Sequence, residues 1–185
     1  MFTKETPRYQ SDLIISNINS IANNVRSINA QVIFIQHDGN KEEGYQPNTE
    51  EWEIITEISM KPIDKIIHKN ACDSFYKSEL EKYLFDNGIN RLIITGCATD
   101  YCVDTTIKSA TSKDYYVLVP SDGHTTANRP SLSAEQVVNH YNWIWSNLIL
   151  PKKNLRVLPT SELIEYLYKE QKPPNQRVKP TWPSA

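Results

Sequence analysis

The sequence of 185 residues lacks several features that would place it in a special class of protein. No apolar run approaches the roughly 20 residues that a membrane-spanning helix requires, and the start of the chain, MFTKETPRYQ, has no apolar signal-peptide region. The formal net charge of −2 gives no basic excess for binding nucleic acid or an anionic membrane. Three cysteines are too few, and odd in number, for a disulfide framework. We therefore expect a cytoplasmic protein with free thiols.

Motifs for common cofactors are also missing. There is no G-x-G-x-x-G and no G-x-x-x-x-G-K-[ST], so nucleotide binding through such loops has no support. Cys97 and Cys102 have four residues between them, which is not the spacing of a C-x-x-C redox or zinc motif. The histidines lack the short spacing of a metal site: His37, His68, His124 and His140. We expect no metal ion and no other cofactor, and a small molecule as substrate.

Apolar residues recur along the chain either at helical spacing or in short strand-like runs, and the two patterns alternate. Helices are predicted at 11–29, 78–88, 102–110, 133–150 and 161–170. Strands are predicted at 31–36, 64–69, 91–95, 115–119 and 155–158. Ser78 with Glu81, and Ser133 with Gln136, have the spacing of capping boxes at helix starts. Gly88 is predicted to end the second helix.

This alternation predicts an α/β fold: a three-layer, doubly wound, mainly parallel sheet with helices on both faces. We expect one domain at 1–169 and a proline-rich, extended or disordered tail at 170–185. The chain opens on a helix whose apolar face needs a sheet, whereas doubly wound folds normally begin with a strand. We therefore expect the first strand of the fold to be lacking from this chain.

The carboxyl ends of the strands mark the expected functional site, because ligands bind there in open parallel sheets. The residues that follow the first four predicted strands are His37, Asp38, Lys69, the segment 96–102, Asp122 and His124. We expect these side chains to converge on one edge of the sheet and to form a catalytic set.

Cys102 is the strongest candidate for a nucleophile in this set. It lies at the start of a predicted helix, where unpaired N–H groups and the helix dipole favour a thiolate. Lys69, one strand over, adds a second positive field. Such a thiolate can attack a carbonyl group, and the helix start supplies donors for the resulting oxyanion. Cys97 and Cys72 are expected to be packing residues.

Aromatic residues near the same edge are candidates for the walls of a substrate pocket. Trp52 lies in a long polar loop just past a strand and is predicted to form a lid or wall. Phe75 and Tyr101 are the other predicted walls, which favours a small, partly apolar substrate. Trp143 and Trp145, on one late helix, are expected to pack in the core or to face a partner subunit.

Six segments together resemble the isochorismatase-like cysteine hydrolases, a family that includes nicotinamidases, other small amidases and ureide or carbamoyl hydrolases. The segments are VIFIQHDG (32–39), NTEEWEI (48–54), KNACDSFY (69–76), TGCATDYCVDTT (95–106), SDGHTT (121–126) and SLSAEQVVNHYN (131–142). The resemblance implies a Rossmann-like fold and hydrolysis of a small amide-type C–N bond through an acyl-cysteine intermediate. It also implies a homo-oligomer, either a dimer or a tetramer.

Residue by residue, the resemblance implies that Cys102 is the nucleophile and Lys69 the catalytic lysine. It implies a cis peptide between Cys97 and Ala98, which would direct the N–H groups of Ala98 and Cys102 at the developing oxyanion. The family's catalytic aspartate ends its first strand and has no counterpart here. Asp38 and Asp122 are the alternatives for the base. The segment after the strand at 31–36 reads HDGNKEEGYQ, which departs from the cluster of the metal-dependent nicotinamidases.

Two explanations for the lacking strand stay open. Met1 could be an internal methionine mistaken for a start, in which case the cellular protein is longer and active. Alternatively, the gene is truly shortened, and its product is an impaired hydrolase or a ligand-binding or assembly protein. For the chain as given we expect poor catalysis, because Lys69 and the helix dipole do not replace a base.

Overall fold

The computed structural model describes residues 7–42 and 44–170. The helices are α1 (Ser11–Ser27), α2 (Leu80–Asp86), α3 (Asp104–Ser112), α4 (Ala134–Ser146) and α5 (Thr160–Glu170). The strands are β1 (Ile33–His37), β2 (Lys65–Lys69), β3 (Arg91–Ile93), β4 (Gly96–Cys97), β5 (Tyr116–Pro120), β6 (His124–Thr125) and β7 (Leu155–Leu158). A π-helical turn at Thr99–Val103 leads into α3. Of the predicted tail, Glu170 ends α5 and 171–185 lie outside the described residues.

Every predicted helix and strand is present, and the largest boundary difference is at the end of α4, at Ser146 instead of 150. The strands β4 and β6 were not predicted, because two residues are too short to show an alternating pattern. Their pairing matters for the site, as described below.

The two predicted capping boxes have different outcomes. At the start of α4, Ser133 Oγ accepts from the N–H of Gln136, and Gln136 Oε1 accepts from the N–H of Ser133, which confirms the prediction. At α2 the prediction is wrong. The Ser78 hydroxyl donates to the Ser74 carbonyl and accepts from the N–H of Leu80.

Glu81, the predicted capping-box partner of Ser78, makes a different contact. Its carboxylate forms an ion pair with Lys113 on the exposed surface. The end of α2 is as predicted. Gly88 has φ of 64°, a left-handed conformation that glycine adopts without strain at a helix terminus.

Helices cover both faces of the strands, so the predicted three-layer arrangement is confirmed. One core cluster contains buried residues of α2, α3 and α4, and the other contains buried residues of α1 and α5. Strand β5 joins both, because Val117 and Val119 belong to the first cluster and Leu118 to the second. This alternation is the two-residue period of a strand buried on both faces.

All strand pairs are parallel, but the sheet is divided. In the described part of the chain, β1 pairs only with β2, the order β3-β5-β7 forms a second group, and β4 pairs with β6. The first two groups share the same layers, since Ile35 of β1 and Leu92 of β3 pack against one core cluster. Residues 7–10, the described residues before α1, form no strand. Across 7–42 and 44–170, no helix is long and apolar enough to cross a membrane.

Candidate active site

The carboxyl ends of the strands bring the predicted site residues to one edge. His37 at the end of β1 lies opposite Lys69 at the end of β2. The short β4–β6 pair continues the exits of β3 and β5 and sets Gly96 opposite His124. The strand exits are therefore fixed in two pairs, β1 with β2 and β4 with β6, at the carboxyl ends where the sequence predicts the site.

Cys102 lies in the π-helical turn that follows β4. Gly96, which opens this segment, has φ of 122°, a conformation that favours glycine. The peptide bond between Cys97 and Ala98 is cis. The Ala98 carbonyl accepts from the N–H groups of Tyr101 and Val103, both at 3.1 Å, which closes the turn. The turn runs directly into α3, so Cys102 lies in the first turn of one continuous helical segment, half-buried.

Thr99, the first residue of this turn, is held by His124. The Thr99 hydroxyl lies 2.9 Å from His124 Nδ1, and His124 Nε2 lies 3.0 Å from Asn142 Oδ1. Asn142 Nδ2 donates to the Ser121 carbonyl, so its Oδ1 faces the imidazole and accepts from Nε2–H. His124 Nδ1 is then the acceptor for the Thr99 hydroxyl. Burial lowers the pKa of His124 to about 4, against the opposing effects of Asn142 and Asp122, so the neutral imidazole is the stable form.

Asp100, the second residue of the turn, is held by Arg129. Arg129 Nε and Nη2 donate to the two carboxylate oxygens at 2.6 and 2.8 Å, and the Thr126 hydroxyl donates to Asp100 Oδ1 at 2.7 Å. The guanidinium also lies 4.9 Å from the centre of the Tyr101 ring. Burial alone would raise the pKa of Asp100, but these hydrogen bonds outweigh it and hold the pKa below its usual value.

Replacing Arg129 by glutamine is expected to lower the free energy of unfolding by about 2 kcal/mol, because it leaves the mostly buried Asp100 charge without its bidentate partner. The matched control is Lys82→Ala, which removes an exposed ion pair with Asp86 and is expected to cost less than about 0.5 kcal/mol. Urea unfolding monitored by circular dichroism measures both. Equal effects in the two variants would show that the Asp100–Arg129 pair does not stabilise the turn.

Lys69 is buried at the carboxyl end of β2. Its Nζ donates to the carbonyls of Ala71 and Cys72 at 2.9 and 2.8 Å. These bonds use two of the three donors of an ammonium group. Among the described residues no carboxylate pairs with Lys69, so a positive charge with a spare donor lies within the site.

The three cysteines are all free and differ in their surroundings. Burial raises the pKa of Cys97 to about 11, so this thiol stays protonated at neutral pH, in agreement with its predicted packing role. Cys72 is exposed, so it is not the packing residue that the sequence predicts. Partial burial and the Cys102 group raise the pKa of Cys72, while Lys69 lowers it.

Asp38 and Trp52 form a cluster at the ends of β1 and β2. The Asp38 carboxylate lies 2.7 Å from Trp52 Nε1 and 3.0 Å from His68 Nδ1, and the indole stacks on the His68 ring. Burial would raise the pKa of Asp38, but the hydrogen bonds from Trp52 and His68 prevail and lower it. Trp52 therefore lies near the edge where the sequence predicts it, held by polar contacts.

Asp122 is not available as a base. Its Oδ1 accepts from both the backbone N–H and the hydroxyl of Thr160, at 2.8 and 2.7 Å, where α5 begins. A carboxylate at the N-terminus of a helix is stabilised there by the helix dipole. The structure therefore gives Asp122 a structural partner, and its side chain caps a helix instead of facing the site as a base.

Phe75 also differs from its predicted role. Its ring is only 7% exposed and packs against Tyr115, which precedes β5 at the end opposite to the site. Phe75 is a core residue and not a wall of the substrate pocket. Tyr101, in contrast, is 51% exposed, and its role as a pocket wall stays a prediction. Of the two late tryptophans, Trp145 is buried and donates to Asp104, and Trp143 is exposed.

No group of three or more histidine, cysteine or acidic residues that could hold a metal ion is found within the described ranges. Sequence reasoning missed the roles of Arg129 and Asn142 in supporting the nucleophile turn. The sequence offered no signal for either residue, since their contacts with the site are tertiary.

The fold and the site together define a known class of protein. Residues 2–142 match the family model of the isochorismatase domain, and the chain belongs to this family. A solved structure described as an isochorismatase family protein is similar over 84% of this chain and 89% of its own, with a TM-score of 0.77 and 26% identity. A cysteine hydrolase from Pseudomonas syringae has the same fold, with a TM-score of 0.77, 19% identity and coverage of 88% and 83% of the two chains.

The matches to individual curated relatives cover smaller parts of the two chains. Streptothricin hydrolase of Streptomyces noursei is 26% identical over 65% of this chain and 48% of its own. The isochorismatase family protein YddQ of Bacillus subtilis is 31% identical over 60% and 62%. Ureidoacrylate amidohydrolase RutB of Variovorax paradoxus is 27% identical over 51% and 38%. The match therefore spans between about a third and two thirds of the length of these curated relatives.

Proposed function

We propose that this protein is a cytoplasmic cysteine hydrolase that cleaves a small amide-type C–N bond through an acyl intermediate on Cys102. The observation that carries the proposal is the position of Cys102, half-buried in the first turn of a helical segment that follows the carboxyl end of β4. The buried Lys69, with a spare donor, ends the parallel strand β2. Unpaired N–H groups and the positive dipole end at such a place favour a thiolate.

In this mechanism the Cys102 sulfur attacks the carbonyl carbon, and the N–H groups of Ala98 and Cys102 stabilise the oxyanion. The tetrahedral intermediate collapses, the C–N bond breaks, and the amine leaves with a proton taken from solvent water. A second water then hydrolyses the thioester, which releases the carboxylic acid and regenerates the thiol. Lys69 holds the carbonyls of Ala71 and Cys72 and contributes positive charge to the attacking sulfur.

The names of two relatives support the reaction class, since one is a streptothricin hydrolase and another a ureidoacrylate amidohydrolase. Two residues are proposed to border the substrate: the exposed Tyr101 and Trp52, whose indole N–H donates to Asp38. Aromatic walls of this kind favour a small, partly apolar substrate over a polymer.

Trapping the acyl intermediate tests the proposal even if deacylation is slow. The protein is mixed with p-nitroanilides of small acids and with simple ureides, quenched in acid, and examined by intact mass and peptide mapping. We expect release of p-nitroaniline or ammonia together with an acyl group on the peptide that contains Cys102. Release of amine without an adduct on Cys102 at any quench time, or an adduct on another residue, would refute the mechanism.

A second candidate function is that of an impaired family member that binds a ligand or assembles as a homo-oligomer. The observation that favours it is that the nearby aspartate side chains already accept hydrogen bonds from other protein groups. Asp38 accepts from Trp52, Asp100 from Arg129, Asp104 from Trp145 and Asp122 from Thr160. Among the described residues, each carboxylate near the turn thus has a structural partner. Ligand binding by calorimetry and a defined dimer or tetramer by sedimentation, without turnover of any amide, would support this candidate.

A further inference from the structure

Strands β1 and β3 each pair on one side only, although both lie between the same two helical layers. In the described part of the chain, β1 pairs with β2 alone and β3 with β5 alone. Ile35 and Leu92 pack against the core cluster of α2, α3 and α4, and Val32 and Ile93 pack against the cluster of α1 and α5. No described residue of β2 belongs to this second cluster, so β1 is the strand of its pair that lies nearer to β3.

The side chains of β1 and β3 are those of strands with a neighbour on each side. Both contain continuous apolar runs, 32–35 and 92–94, which are typical of parallel strands buried on both faces. Strand β2 instead carries His68 and a lysine at each end, and such charges are typical of an edge strand. The two apolar runs are nevertheless only half-buried, whereas β5, which pairs on both sides, is buried over 117–120.

The backbone of β1 directs hydrogen-bonding groups towards its unpaired edge. The Val32 carbonyl accepts from β2 at 3.1 Å, and the Asp38 N–H donates to β2 at 2.7 Å. Successive residues of a strand point their N–H and C=O groups to opposite sides, so the even-numbered residues from 32 to 38 face β2. The N–H and C=O groups of Ile33 and Ile35 therefore point away from β2.

The same alternation holds for β3. The Asn90 carbonyl accepts from β5 at 2.9 Å, and the Ile94 N–H donates to β5 at 3.0 Å. The N–H and C=O groups of Ile93 and Thr95 therefore point away from β5. We call the space between these two edges, bounded by 33–35 and 92–94, the strand slot.

An extended polypeptide has the chemistry that matches the strand slot. Only an extended backbone presents N–H and C=O groups alternately to two sides, so one strand can complete both ladders. Apolar side chains on its two faces would meet the two core clusters. The slot is bounded by uncharged residues at 33–35 and 92–94, so a charged side chain at these levels would lose its hydration without gaining an ion pair.

The longer stretches outside the described ranges do not have this chemistry. Residues 1–6, MFTKET, include Lys4 and Glu5, whose charges would be costly to bury. Residues 171–185, QKPPNQRVKPTWPSA, contain four prolines, which lack the N–H that a ladder needs. Their longest run without proline, 175–179, has a single apolar residue. The occupant is therefore a partner segment that this sequence does not contain.

We propose that the strand slot binds an uncharged, aliphatic partner segment as a parallel strand that pairs with β1 and β3 at once. The segment has five residues at the slot, the length of β1. Parallel pairing is expected because every described strand pair is parallel. Binding completes one sheet from the two groups and covers the half-buried apolar runs. The proposal does not rest on the proposed hydrolysis, since it concerns binding alone.

A synthetic peptide tests this proposal without any substrate. The probe has the sequence Val-Leu-Val-Leu-Val, preceded by Lys-Lys-Gly for solubility, and is titrated into the full chain labelled with nitrogen-15. We expect saturable 1:1 binding, with amide exchange at Ile35 and Ile93 slowed by about 10-fold more than at Phe34, whose N–H already bonds β2. Absence of saturable binding, or effects confined to Ile66 and His68 on the outer side of β2, would overturn the proposal.

Two controls separate strand pairing from hydrophobic adhesion. A peptide with N-methyl groups on two adjacent valine and leucine residues keeps the apolar surface but loses one donor towards each side. Its affinity is expected to be about 10-fold lower or less, because two backbone hydrogen bonds are lost. Equal affinity of the two peptides would overturn the proposal. In the protein, Phe85→Ser removes an apolar side chain that is 82% exposed on α2, and it should leave the affinity unchanged. Loss of binding in that variant would place the peptide on α2 and contradict the proposal.

Discussion

Replacing Cys102 by alanine is expected to abolish the acyl adduct and to reduce turnover by about 1000-fold or more, because the change removes the sulfur that forms the covalent intermediate. The side chain is half-buried and small, so the fold should survive the change. Initial rates of p-nitroaniline release, compared with wild type at the same protein concentration, measure the effect. Circular dichroism melting of both proteins shows that the variant is folded.

The matched control is Cys72→Ser, which removes an exposed free thiol and keeps Cys102. In that variant the adduct should still form on the Cys102 peptide. Labelling with iodoacetamide adds a second readout that does not depend on the substrate. We expect Cys102 to react faster than free cysteine and Cys97 to stay unlabelled, because burial keeps Cys97 protonated. Turnover that persists in Cys102→Ala would exclude the cysteine mechanism.

The fold was largely predictable because the core elements have clear apolar periods. Strand β5 alternates Val117 and Val119 with Leu118 between two core layers, and α3 repeats Ile107 and Ala110 at helical spacing. A local sequence pattern gave a wrong prediction where a nearby loop offered the side chain another hydrogen-bond partner. The Ser78 hydroxyl bonds Ser74, one turn earlier, instead of capping α2. Nothing in the spacing of Ser78 and Glu81 distinguishes this outcome from a capping box.

The site was predictable as far as the strand ends define it. Cys102 and Lys69 lie at the carboxyl edge of the sheet, and the rule for parallel sheets needs only the order of elements to place them there. The rule does not say where a side chain in a loop points. Asp122 follows β5 as predicted, but α5 begins 38 residues later and draws its carboxylate away. Phe75 follows β2, but its loop turns inward and buries the ring against Tyr115.

The remaining features of the site depend on hydrogen bonds from segments distant in sequence, which sequence patterns do not predict. The nucleophile turn depends on Arg129, 29 residues beyond Asp100, and on His124, 25 residues beyond Thr99. A histidine at a strand end suggests a catalytic acid or base, and the sequence offered His124 as part of a catalytic set. Its full burial and its contacts with Thr99 and Asn142 instead make it a support for the turn.

This support should make the protein sensitive to mild acid. Burial lowers the pKa of His124 from its ordinary value of 6.5 to about 4 in the folded protein. Between these two values the unfolded chain binds a proton that the folded protein does not. The free energy of unfolding therefore has its full His124 contribution above pH 6.5 and falls as the pH decreases towards 4, by roughly 3 kcal/mol in all.

Carboxylates do not produce a loss in that window. Asp38, Asp64 and Asp100 have pKa values lowered by their partners, so their contributions are present above the ordinary value of 3.8 and are lost only below it. Urea unfolding at pH 7, 6, 5 and 4.5 should therefore isolate the imidazole. His124→Gln is the matched variant, because its amide can still donate towards Asn142 Oδ1 but does not titrate.

We expect His124→Gln to be less stable than wild type at pH 7, by about 1–3 kcal/mol for the imperfect replacement of a buried hydrogen-bonded ring. We also expect its free energy of unfolding to change much less than that of wild type between pH 6.5 and 4.5. The free energies of unfolding of the two proteins should converge as the pH falls. Protonation of the unfolded chain removes from wild type the stabilisation by the neutral imidazole that the variant lacks at every pH. Parallel curves would show that His124 does not carry the acid sensitivity and that its neutral form is not what holds Thr99 and the nucleophile turn.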